Sequence, residues 1–143
     1  MSAAILYTPD VLALATSLAQ WPWDDTLTAV REERSRSCGS TLKLGLDLDS
    51  DGRVARIGIK PHACAVGQAA AAIFAGGALG MDAPGIIRAH DAMDDWLRGE
   101  RAMPEWPGLS AIAAARDYPA RHGAVMLAWR AARQLLSTDD MAR

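Results

Sequence analysis

A run of strict alternation constrains this chain more than any other feature. Leu42, Leu44, Leu46 and Leu48 occupy every second position, with Lys43, Gly45, Asp47 and Asp49 between them. A period of two puts all four leucines on one side of an extended segment, so the spacing predicts a β-strand with one buried face. Asp49-Ser50-Asp51-Gly52 reads as a turn, with glycine able to take positive φ. Val54, Ile57 and Ile59 then resume extended structure, which makes an antiparallel hairpin. The polar, charged stretch 28–37 is read as a third strand at the sheet edge.

Elsewhere the period is helical. Thr8-Pro9-Asp10 opens a helix with a capping hydroxyl, a first-turn proline and a carboxylate at the positive end of the dipole. Trp21-Pro22-Trp23 stops it, and the two tryptophans are expected to fold back as a lid on the body, an aromatic ligand clamp being the alternative. Residues 63–74 predict a helix whose small side chains allow close approach to a sheet, ended by Gly76-Gly77. Asp82-Ala83-Pro84 starts the next helix, which runs to Gly99. A loop, residues 103–108, leads to a short helical piece at 109–115. The last helix spans 119–136, with Val125, Trp129, Ala132 and Leu136 on its apolar side and Arg130, Arg133 and Gln134 largely on the other. The tail, 137–143, is expected to be frayed. Strands first and helices afterwards predict an α+β domain, a small antiparallel three-stranded sheet with helices packed on one face.

Composition bounds what such a domain can do. With 143 residues, half of them hydrophobic, the chain suits one packed domain covering 1–143. A net charge of −2 argues against nucleic acid or an anionic membrane as partner. The N-terminus lacks the basic region of a secretory leader, and the Ala/Gly-rich stretch 63–79 is too short and too weakly apolar to span a bilayer. Two cysteines, Cys38 and Cys64, make no disulfide framework and suit a reducing, cytoplasmic setting.

Those cysteines are the candidate chemistry. Cys38 precedes the hairpin, and Cys64 stands where its second strand gives way to a helix, so both belong to the hairpin's open end. A thiol at a helix N-terminus feels unpaired N–H groups and the positive end of the dipole, which favours the thiolate that binds soft metals. Two ligands alone rarely hold a structural metal. His62, two residues before Cys64, and His122, at the start of the last helix, are the candidates to join them, whereas His90 is read as a surface or packing residue. The pairs Asp24-Asp25, Asp94-Asp95 and Asp139-Asp140 are read as solvated surface. Gly76 to Gly80 follows a helix and makes a poor phosphate cradle. No Gly-x-Ser-x-Gly, His-Glu-x-x-His or P-loop pattern occurs, so no catalytic residue is assigned and the chain is expected not to be an enzyme.

Three segments carry a family resemblance: Cys38-Gly39-Ser40 before the hairpin, His62-Ala63-Cys64-Ala65-Val66-Gly67-Gln68-Ala69-Ala70-Ala71 after it, and Tyr118-Pro119-Ala120-Arg121-His122-Gly123-Ala124-Val125-Met126-Leu127-Ala128-Trp129. Over residues 6–136 the chain resembles the iron–sulfur cluster assembly scaffold family, the NifU N-terminal-domain or IscU-like fold. The segment between Leu97 and Tyr118 and the Pro-x-Arg…Leu-x-Trp ending look more like its SufU branch. The resemblance implies cysteine ligands at Cys38 and Cys64. The family's aspartate falls on Ser40 and its third cysteine on Ala124, whose methyl ligates nothing, so two of four expected ligands are missing. His122 lies two residues from that vacancy, and residues i and i+2 of a helix do not share a face. What the resemblance implies is a scaffold or carrier that binds iron or a nascent iron–sulfur cluster, with a cysteine desulfurase and cluster acceptor proteins as partners. The alternatives are a degenerate member that holds no cluster and acts as a protein-interaction module, and a zinc-dependent partner of a desulfurase in sulfur transfer.

Overall fold

The computed structural model describes residues 6–36 and 38–137 of the chain. Three strands, β1 (Ala29–Arg34), β2 (Thr41–Leu48) and β3 (Val54–His62), form an antiparallel sheet in the order β1-β2-β3. Helices α1 (Pro9–Thr16), α2 (Ala65–Ala78), α3 (Ala83–Leu97) and α4 (Pro119–Leu136) form a layer on one side of it, with 3₁₀ segments at Ser17–Gln20 and Leu109–Asp117. The α+β class, the edge strand and the one-sided helical layer are as expected. The residues 138–143 of the expected frayed tail lie outside the described residues, as does Asp139-Asp140.

The hairpin register sets everything that follows. Leu44 pairs with Ile59 and Thr41 with His62. Leu42, Leu44 and Leu46 are buried on the helical side, and a register shift at Asp47/Leu48 leaves Ala55 unpaired. That extra residue is why the buried positions of β3 run Val54, Ile57, Ile59 and not in strict twos.

On the helical side, α4 lies against β1 and β2, α2 packs beside β3 and against α4, α1 covers α2, and α3 covers α4. The one-sided reading of α4 falls short here. Residues 124–129 are all buried, because α4 is a central helix with neighbours on several sides. Its Arg133 reaches Asp91 of α3 (3.2 Å) at the remaining outer edge.

Gly76-Gly77 does not end α2, which continues to Ala78, and the chain turns at Gly80 (φ +84°) instead. Gly77 serves packing. A Cβ there would stand 2.5 Å from Trp106 Cε2 and Nε1. The bare glycine lets the indole lie on the helix and donate from Nε1 to the Ile73 carbonyl (2.8 Å). Trp106 also stacks on Phe74 (6.0 Å between centroids), and Trp129 meets both edge-on at 5.5 Å.

The tryptophan segment crosses the other face of the sheet as a strap. Trp21 O accepts from Ile59 N (3.0 Å) at the free edge of β3. Leu27 fills the space over Gly45 and Gly58, which are cross-strand partners; a Cβ on either would collide with it. Lys43 Nζ lies 4.6 Å from the Trp23 ring centre. Arg56 of β3 binds Asp24 of the strap (2.9 Å) and Asp47 of β2, closing the clasp. The lid reading therefore describes the segment, and the ring available for an aromatic clamp is occupied by a lysine.

Candidate functional site

Because Thr41 pairs with His62, the residue before β2 and the residues after β3 emerge side by side. On the first side, Ser35 N donates to Ser40 O (2.8 Å) and Gly39 N to Ser35 O (3.2 Å), closing a tight loop that holds Cys38 at its tip. Gly39 sits there at φ +72°, a region open to glycine at no steric cost. On the second side, Cys64 is the N-cap residue of α2; its carbonyl accepts from Gln68 N (2.9 Å). Gln68 Nε2 donates to the Ala63 carbonyl (2.9 Å), steadying the same turn. The two loops face one open cavity of about 570 Å³, lined by Cys38, Ser40, His62, Cys64, Gln68 and Arg121 among others.

Cys38 is exposed and Cys64 partly so, and both are free thiols. The Cys38 sulfur lies within hydrogen-bonding distance of Ser40 Oγ (3.1 Å) and Ser35 Oγ (3.4 Å), which share its single S–H donor. Its partial burial pushes the thiol up, but the Ser35 and Ser40 hydroxyls, the Ser40 N–H and the charge of Arg121 together pull it below the ordinary value of 9.0. When Cys38 ionises, the two hydroxyls can rotate and donate to the sulfur. The loop hydroxyls and N–H, with Arg121 of α4, thus favour the ionised form of Cys38. The sequence reading looked for such a setting at the start of a helix, around Cys64.

The candidate positions divide. Cys38, Cys64, His62 and Ser40 are brought to the cavity. His122 is not. Its Nε2 lies 2.9 Å from the Arg116 carbonyl and 3.1 Å from that of Ala115, so the ring donates to the end of the 3₁₀ segment. The angular step of a helix accounts for this: Arg121 takes the face toward the thiols, and its neighbour turns away. Ala124 is 1% exposed and packs on the first turn of α2, where a Cβ on Gly67 would come 3.3 Å from its methyl. Among the described residues no group of three His, Cys, Asp or Glu side chains is placed to share a metal ion.

Arg121 and Gln68 were missed by the sequence reading, although spacing carried a signal for each. Arg121 stands three residues before Ala124 and Gln68 four after Cys64, the separations that share a helical face. Among the described residues no helix is long and apolar enough to cross a membrane.

No family model matches the sequence, and no curated protein matches it. Solved structures do. A nitrogen-fixing NifU-like protein (N-terminal) from Brucella abortus shares 28% identity over 92% of each chain, with a TM-score of 0.83. A protein from the thermophile Fervidobacterium islandicum AW-1, named as a candidate iron–sulfur cluster assembly scaffold for the SUF system, shares 17% identity over 96% of this chain and 100% of that one, with a TM-score of 0.84. A hypothetical protein aligns with a TM-score of 0.69 at 16% identity, covering 90% of this chain and 97% of that one. The expected resemblance to the NifU and SufU-like family holds, in fold and along nearly the whole chain.

Proposed function

We propose that this chain, which shares the fold of the NifU and SufU-like family, is a scaffold or carrier in iron–sulfur cluster assembly that holds iron or a nascent cluster through Cys38 and Cys64. One observation carries the reading: two thiols far apart in sequence open into the same solvent-accessible cavity. Thiolates are soft donors that suit iron and cluster sulfide chemistry. The two thiols meet half of a four-coordinate requirement, since Ala124 offers a methyl and among the described residues no group of three His, Cys, Asp or Glu side chains is placed to share a metal ion.

In this reading the chain has no catalytic residue and works in the reducing cytoplasm. A cysteine desulfurase supplies sulfur, acceptor proteins remove the product, and the cluster is cargo. Openness suits that task, because a transferable cargo needs a path out that a closed structural site denies.

The test is anaerobic reconstitution with Fe²⁺ and sulfide, followed by iron and acid-labile sulfide analysis. The native chain retains both and shows a visible chromophore; Cys38→Ala and Cys64→Ala lose it. A colourless, iron-free protein overturns the proposal.

The vacancies at Ser40 and Ala124 favour one second reading, an interaction module that docks an assembly protein without metal. That reading requires partner binding to survive replacement of both cysteines by alanine, and zinc-dependent sulfur transfer requires the reverse together with bound zinc.

A further inference from the structure

The cavity holds a cation that, among the described residues, has no carboxylate partner. Arg121 lines it beside both thiols, and among the described residues Arg121 forms no salt bridge. Arg56, Arg98 and Arg133 pair with carboxylates elsewhere on the molecule, and Arg121 is the arginine among the residues that line this cavity. The volume of about 570 Å³ lies inside the range of small-molecule sites, roughly 300–1,000 Å³. Gln68, with Nε2 committed to the Ala63 carbonyl, keeps its Oε1 as an acceptor on the same wall. So the site supplies two sulfur donors of four, has room, and presents a guanidinium suited to a carboxylate.

We propose that a low-molecular-weight thiol bearing a carboxylate completes this site, its sulfur supplying a donor that Ala124 lacks and its carboxylate resting on Arg121. The proposal rests on the scaffold reading and names the co-ligand of the same cavity. Coordination is a proton-balanced step: the thiol sulfur binds the metal, its proton passes to solvent, and no electrons move. The carboxylate separates such thiols from neutral ones. A second copy of this chain, bringing two more cysteines, is the competing way to complete four ligands.

The experiment reconstitutes the full chain with Fe²⁺ and sulfide while titrating either 3-mercaptopropionate or 2-mercaptoethanol. Retained iron, retained thiol and particle mass are measured after desalting. The carboxylate thiol reaches half-maximal retention at about a tenfold lower concentration than the neutral one, as one charge-assisted contact in an open site allows. It co-elutes with the iron on a single chain, and Arg121→Gln erases the tenfold preference while Arg121→Lys keeps part of it. Equal potency of the two thiols, a preference untouched by Arg121→Gln, or full iron retention without added thiol in a two-chain particle overturns this inference and leaves the scaffold reading standing. Absence of iron in every arm sinks both.

Discussion

Replacing Ser40 by alanine tests the electrostatics of Cys38 directly. The Ser40 hydroxyl is buried and lies 3.1 Å from the sulfur, while the Ser40 backbone N–H, which also favours the ionised thiol, stays in place after the substitution. A hydrogen bond to a charged acceptor is worth about 1.5–3 kcal/mol when water cannot replace it. Cys38 is exposed, so water recovers much of that, and about 0.5–1 kcal/mol is left. At about 1.4 kcal/mol per factor of ten, the thiolate fraction below the midpoint falls roughly two- to fivefold. The raw alkylation rate falls by less, because the more basic thiolate is intrinsically the better nucleophile, with a Brønsted slope of about 0.4–0.5. The midpoint of the pH–rate profile is therefore the sharper readout. Iodoacetamide alkylation on a Cys64→Ala background, where Cys38 is the remaining cysteine, should show that midpoint moving upward in Ser40→Ala. A midpoint that stays put or moves down refutes the assignment of Ser40 as a thiolate donor.

Two further substitutions or conditions address the frame that holds the site. Gly77→Ala improves helix propensity by up to about 1 kcal/mol, yet its Cβ would stand 2.5 Å from the Trp106 ring. The packing term should win by about 1–3 kcal/mol, seen as a lower urea midpoint, and an unchanged or higher midpoint contradicts the close-approach reading. The strap clasp should be acid-sensitive in a defined window. Thr26 hydrogen bonds, then Arg56, hold Asp24 below 3.8, and the Thr28 N–H, then Arg56, do the same for Asp47. Folded values below the unfolded ones mean that the clasp's contribution is complete above pH 3.8 and is lost as pH falls through the lowered values. Trp23 fluorescence beside Lys43 should change only there, and a change starting well above pH 4 contradicts the sign.

What the sequence made legible, and what it hid, follows from the range of each interaction. The leucine alternation fixed the hairpin, and pairing register is a local consequence of turn and strand, so the opening of Cys38 and Cys64 into one cavity could be foreseen from residues 38 to 64 alone. Gly77 was misread because a glycine after a run of alanines looks like a stop, whereas its role depends on Trp106, which arrives from a distant loop. The same holds for Gly45 and Gly58: in the strand pattern they are weak positions, and only Leu27, returning over the outer face, shows why a side chain there is excluded. That His122 bonds the end of the 3₁₀ segment while Arg121 lines the cavity escaped the spacing for one reason. Spacing says which residues share a face of α4, but not which face meets the sheet, and that is decided by α2, α3 and the strands packing round it. The orientation of α4 is therefore the long-range fact on which the chemistry turns. It places Arg121 and not His122 on the cavity, so the site gains a positive charge and not a further imidazole from α4. On the proposal above, a cavity built in that way takes a co-ligand carrying both sulfur and negative charge beside its own two thiols.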